Sequence, residues 1–176
     1  MSPKACNVES RDFPLAYLIT IRSFGTWLHG DETPSVDRHG FNVYDTPCRP
    51  QNLKLGGVMQ AKMLTAPVVF SGEQCKIIED AIKEVCRCRK YHLSAVNART
   101  NHTHAVVSAH CKPEPIADAF KSYSTRKLKE ARLISPTVHP WARGRSRRYL
   151  WKPQHVARAI EYVRFGQGED IPSFDD

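Results

Sequence analysis

The sequence predicts an α/β (α+β) fold built on one antiparallel sheet. Three observations predict it. Short β-branched and aromatic runs alternate with segments of helical period. Two of those runs are separated only by a short polar turn, the mark of a hairpin. The 176 residues are 41% apolar and 25% charged, which suits one ordinary globular domain over 1–176.

The elements follow in order. Pro14 to Arg22 (PLAYLITIR) is a strand, bounded by Pro14 and by Ser23-Phe24-Gly25. Gly25 to about Val58 is rich in Gly, Pro, Asp and Asn and reads as extended loop. Ala61 to Phe70 is expected as an edge strand, so that 24–70 forms a loop-rich insertion. Ser71 starts a helix with Gln74 at the capping-box spacing, and Ile78, Ala81, Ile82 and Val85 repeat at helical period as far as about Arg89. Tyr91 to Ala98 and Thr103 to Cys111 are the two hairpin strands, turning at Asn97 to Asn101. Pro113 to Pro115 breaks the second of them. Ile116, Phe120, Ser124, Leu128 and Ala131 mark a helix ending near Leu133. Ser135 to Arg147 is loop, Arg148 to Trp151 a short strand, and Gln154 to Phe165 a helix stopped by Gly166 and Gly168. Residues 169–176 form an acidic tail. The first six elements make the split βαββαβ of a ferredoxin-like domain, a fold that hosts many functions.

Charge narrows the partners. The net charge is +8, and it is uneven. From Lys121 to Arg164 there are twelve Lys/Arg against Glu130 and Glu161, a net of +10, which leaves −2 for the rest. A basic half on a near-neutral frame is the footprint of a polyanion binder, although a merely solvated basic surface looks the same. No apolar run approaches the roughly 18 residues of a membrane span, so no membrane partner is expected. The polar start carries no secretory signal, which points to a cytoplasmic protein. The six cysteines include no CxxC pair and read as reduced thiols.

Two features carry chemistry. On a strand, His102 and His104 leave by the same face with Cα atoms about 7 Å apart, close enough to meet one metal ion. Two solvent-facing histidines would give the same pattern. On the last helix, Val156, Ala159, Ile160 and Val163 form an apolar stripe. At about 100° per residue, Tyr162 falls roughly 110° from its centre, on a flank with His155 and Arg158. That placement suits a functional tyrosine, and equally a boundary tyrosine with a wet hydroxyl. Tyr123 reads as core, and Tyr149 as packing or base stacking.

Asn101-His102-Thr103-His104-Ala105-Val106-Val107 resembles the HUH motif of single-tyrosine transposases, in which U is a bulky apolar residue. The stretch Gly25-Thr26-Trp27-Leu28-His29-Gly30-Asp31 resembles the opening of their REP-associated tyrosine transposase branch. The ending does too: Arg148-Tyr149-Leu150-Trp151, then Ala159-Ile160-Glu161-Tyr162-Val163 and Gly166-Gln167-Gly168. The resemblance runs from about Pro14 to Gly168. It implies that His102 and His104 bind a divalent ion, Mg²⁺ or Mn²⁺, with a third ligand from the tyrosine helix, and that Tyr162 attacks single-stranded or hairpin DNA. Relatives include both monomers and homodimers with shared sites.

Two positions depart from the pattern. U is the polar Thr103. The ligand position four residues after the tyrosine is Gly166. Either Gln167, one residue later, supplies the ligand, or water or another residue does. Arg143, Arg145, Arg147, Arg148 and Lys152 are expected to grip phosphates, with Arg158 beside the tyrosine. Trp141, Tyr149 and Trp151 are expected to stack on bases. Trp27, His29 and Asp31 either shape the cleft or form an ordinary turn. The competing reading is a non-catalytic or domesticated nucleic-acid-binding module on the same fold, which Gly166 favours. A zinc hydrolase is a more distant third, since no carboxylate lies near the histidines in sequence.

Overall fold

The computed structural model describes residues 13–26 and 66–166. The order is β1 (Ala16–Arg22), α1 (Gly72–Arg89), β2 (His92–Ala98), β3 (His102–Ser108), α2 (Pro113–Glu130), β4 (Ser146–Leu150) and α3 (Pro153–Arg164). The four strands form one sheet in the order β2-β3-β1-β4, with every neighbouring pair antiparallel. This is the expected split βαββαβ arrangement, with β3 and β1 at its centre. Among the described residues no helix is long and apolar enough to cross a membrane.

Local chemistry sets the helix ends. Ser71 Oγ accepts from the Gln74 N–H, and Gln74 Oε1 accepts from the Ser71 N–H, closing the expected capping box on α1. Lys90 ends α1 in the left-handed conformation. Pro113 and Pro153 open α2 and α3 at the first turn, where a missing N–H costs nothing. Pro113 to Pro115, expected only to break the preceding strand, therefore also begin the next helix.

The faces of the sheet are covered unequally. Tyr17, Ile19 and Ile21 of β1, with Ala105 and Val107 of β3, pack against Ile78, Ile82 and Val85 of α1 and Ile116, Phe120 and Leu128 of α2. The opposite face packs Ala16, Leu18, Val106 and Leu150 against Ala159, Tyr162 and Val163 of α3 alone. A central strand covered on both sides needs apolar residues at successive positions, which explains the run AYLITI of β1, apolar except for Thr20. The single helix on the second face leaves the sheet's polar end, around His102, less deeply covered than the core.

The expected edge strand at 61–70 is corrected. Residues 61–65 lie outside the described residues, and 66–70 form no strand. The Val68 N–H donates to Phe24 O at 2.8 Å and the Phe70 N–H to Thr100 O at 2.7 Å. This segment bonds instead to the loops that follow β1 and β2.

Thr103, the departure at U, lies on the α1/α2 face at 1% exposure, and its Oγ1 has no hydrogen-bond partner among the described residues. A buried hydroxyl left unsatisfied is destabilising. Thr103→Val is therefore expected to stabilise the protein by about 1 kcal/mol, raising its melting temperature by a few degrees in a thermal scan. A lower melting temperature would mean that the hydroxyl has a structural partner.

Candidate active site

The site is assembled by strand alternation. His102 and His104 share the α3 face of β3 with Val106. Antiparallel register sets Arg22 of β1 opposite His102, Thr20 opposite His104, and Asn97 of β2 on the other side of His104. The imidazoles lie 4.7 Å apart, centroid to centroid. Helix α3 crosses this face and brings the Tyr162 ring to 5.3 Å from that of His104, with the tyrosine hydroxyl 3.5 Å from His104 Nε2. The end of α3 is tied down by Arg164, which donates to the Ser94 carbonyl of β2 at 3.3 Å.

Hydrogen bonds orient both histidines. Thr20 Oγ1 is 2.8 Å from His104 Nδ1, and Asn101 Oδ1 is 2.6 Å from His102 Nδ1. An amide oxygen only accepts, so His102 Nδ1 carries the proton and its Nε2 keeps a lone pair. At His104 the Nδ1 partner is a hydroxyl that can donate or accept; with Nδ1 protonated as at His102, the Nε2 lone pair would face Tyr162. His104 is 3% exposed, and burial first, then the neighbouring His102 and Arg22, push its pKa down to about 3. It is thus neutral at physiological pH, the state a metal ligand requires.

The structure repositions several sequence expectations. The buried stripe of α3 is His155, Ala159, Tyr162 and Val163, with Val156 and Ile160 only partly buried. Tyr162, expected on a flank, is 8% exposed and sits on the stripe. The helix is rotated because the sheet beneath it presents polar groups, Thr20 and His104, that suit a tyrosine. Trp141, expected to stack on bases, is corrected too. It is 9% exposed, lies 5.0 Å from the Phe70 ring, and donates its indole N–H to the Lys121 carbonyl. Tyr123 packs against the core, as expected, with Arg126 over its ring.

The arginine cluster divides between the two faces. Arg147 and Tyr149 pair in register with Ile19 and Tyr17, so they lie on the α1/α2 face, where Arg147 meets Glu114 at 2.5 Å. Arg145 is ion-paired with Asp118 of α2. Arg148 pairs with Leu18 and so emerges, exposed, on the face of the histidines. Arg143, Lys152 and Arg158 are exposed. Tyr149 and Trp151 are 44% and 51% exposed and stack with an interplanar angle of 17°.

Gly166 lies against the tyrosine. A Cβ there would begin 3.2 Å from Tyr162 Cδ2, so a side chain at this position would press on the ring. Gln167, Trp27, His29 and Asp31 lie outside the described residues. Among the described residues no group of three His, Cys, Asp or Glu converges as a metal site.

Over residues 65–163, more than half of the chain, the sequence matches the model of the family described as "Transposase IS200 like". The chain belongs to the IS200-like transposases. No curated protein matches it. Among solved structures it is similar to a REP-associated tyrosine transposase bound to a REP hairpin, at 10% identity and a TM-score of 0.46, over 94% of this chain and 72% of that one. It is also similar to a protein described as a candidate transposase of Deinococcus radiodurans R1, at 12% identity and a TM-score of 0.44, over 93% and 96% of the two chains. At these scores the fold assignment rests on the strand order and register of this transposase itself.

Sequence reasoning missed Thr20, Arg22, Asn97 and Asn101 of this transposase. The signal for the first two was present: they are polar positions two residues apart in an otherwise apolar strand. Their meaning depended on pairing with β3, which no local pattern reports.

Proposed function

We propose that this transposase is a metal-dependent single-stranded DNA endonuclease and strand transferase that acts through a 5′-phosphotyrosine intermediate on Tyr162. Its substrate is hairpin or palindromic DNA with a single-stranded flank, the class implied by its resemblance to the REP-associated branch. The observation that carries the reading is the meeting of Tyr162 with the two imidazoles, its hydroxyl 3.5 Å from His104 Nε2. Family membership supports DNA as the partner.

The residues fit a divalent ion held by two nitrogens. Each Nδ1 has an oxygen partner, so Nε2 is the nitrogen with which each imidazole would coordinate, and the neutral His104 would do so without losing a proton. Bound there, the ion would polarise the scissile phosphate. Nitrogen donors suit Mn²⁺ at least as well as Mg²⁺. The third donor is Gln167, water or a phosphate oxygen.

The chain's own residues orient the reaction. Packing of the Tyr162 ring between His104 and Gly166 fixes the direction of its hydroxyl. The Tyr162 hydroxyl gives up its proton as its oxygen bonds to phosphorus, the P–O3′ bond breaks, and the departing 3′ oxygen takes up one proton to become a hydroxyl. The phosphotyrosine keeps the bond energy, so a second 3′-hydroxyl can reverse the step without ATP. Arg148, on this face, and the exposed Lys152 and Arg158 would hold the flanking backbone.

The test is a denaturation-resistant protein–DNA band on labelled hairpins and single strands with Mn²⁺. A divided arginine cluster adds a second test. Binding should weaken steeply with salt, and Arg148→Gln should reduce the slope of log K against log salt by about 1. Arg147→Gln, ion-paired on the far face, should leave the slope nearly unchanged. The opposite ranking would move the DNA path to the α1/α2 face.

Gly166 and the absence of a third ligand residue among the described residues favour a second reading, a non-catalytic DNA-binding module. It predicts hairpin binding with no covalent band in either Mg²⁺ or Mn²⁺.

A further inference from the structure

Arg22 closes β1 on the face of the histidines and Tyr162. It stands directly opposite His102 in the antiparallel register, where opposed Cβ atoms lie about 5 Å apart. Thr20, two residues earlier on the same face, holds His104. Tyr162 reaches His104 from α3, its hydroxyl 3.5 Å from Nε2, so register and packing put Arg22, both imidazoles and the tyrosine on one face of the sheet. Arg22 is half-buried on the face that carries both imidazoles.

The chemistry such a group serves is specific. A guanidinium is planar, always charged, and matches two oxygens of a phosphate at once. In phosphoryl transfer, charge spreads over the non-bridging oxygens, and a fixed cation aimed at them lowers the barrier. The need is greater here. Gly166 brings no ligand to the tyrosine helix, and among the described residues only two imidazoles stand ready for an ion.

We propose that Arg22 is a catalytic residue of this site, its guanidinium gripping a non-bridging oxygen of the scissile phosphate between the histidine pair and Tyr162. This rests on the strand-transfer reading above. Arg22 neither gains nor loses a proton: the bond made is Tyr162 oxygen to phosphorus, the bond broken is phosphorus to O3′, and the departing 3′ oxygen takes the proton.

The experiment uses the full chain, Mn²⁺ and circular single-stranded phage DNA, with covalent band formation followed over time. Arg22→Gln should slow the reaction by about 10²–10³-fold, the usual cost of losing one oxyanion-stabilising donor. Arg22→Lys keeps the charge without the planar fork and should fall between Gln and wild type. In a Tyr162→Phe background, where only binding is read, the affinity for the same DNA should hardly change with Arg22→Gln. A wild-type rate for Arg22→Gln, or a loss of affinity as large as the loss of rate, overturns the role of Arg22 alone. Should Arg22→Gln fail to fold by circular dichroism, Arg22→Lys decides, and a wild-type rate there overturns the role. A wild-type protein that forms no covalent band overturns this role together with the strand-transfer reading.

Discussion

Tyr162→Phe should abolish the covalent protein–DNA band while leaving the fold and the DNA affinity in place. The ring is what packs: it is 8% exposed, lies edge-on to His104, and is backed by Gly166. The phenylalanine keeps all of those contacts. The contact of the hydroxyl with His104 Nε2 is long, 3.5 Å, so its loss should change stability by less than about 1 kcal/mol. It is also the group that would attack phosphorus, and no other hydroxyl of α3 is placed to replace it. Peptide mapping of the wild-type adduct should put the nucleotide on the peptide containing Tyr162. An adduct on Tyr149 would refute the assignment, because that ring lies on the opposite face of the sheet, against Tyr17.

His102→Ala should lower cleavage by about 10³-fold or more, the scale of several kcal/mol of lost charge stabilisation. DNA affinity should stay within a few fold. His102 is only partly buried, so this variant should keep most of its stability. His104→Ala should lose cleavage equally but at a structural cost. At 3% exposure, its removal opens a cavity beneath Tyr162 and strips Thr20 Oγ1 of its partner. The expected loss is about 1–3 kcal/mol, visible as a lower melting temperature. Activity should therefore be compared at a temperature where both variants are folded. A double variant that still cuts would remove the ion from the reaction.

Much of this protein was legible in its residues because it is expressed locally. The capping box at Ser71 and Gln74, the helical period of Ile78 to Val85, and the strand-forming run of β1 each depend on near neighbours. So does the shared face of His102 and His104, which follows from two-residue alternation whatever the rest of the chain does. These patterns were enough to order the elements, and with them the split sheet.

Tertiary structure decided what those elements face. The rotation of α3 could not be read from its apolar residues, because burial there is shared with His155 and Tyr162, polar side chains that the sheet surface accepts. The arginines between 143 and 148 look like one cluster in sequence. Alternation along β4 sends Arg147 towards Glu114 and Arg148 to the face of the histidines, and only the pairing of β4 with Leu18 and Ile19 says which goes where. Trp141 joined the core for the same kind of reason, through contact with Phe70, seventy-one residues earlier in the chain. Arg22 and His102 are eighty residues apart, and it is the antiparallel register of β1 and β3 that makes them one site. Local propensity carries no information about such partners. Packing of two strand faces against three helices supplies it, since a one-residue slip would turn every buried side chain of β1 to the wrong face.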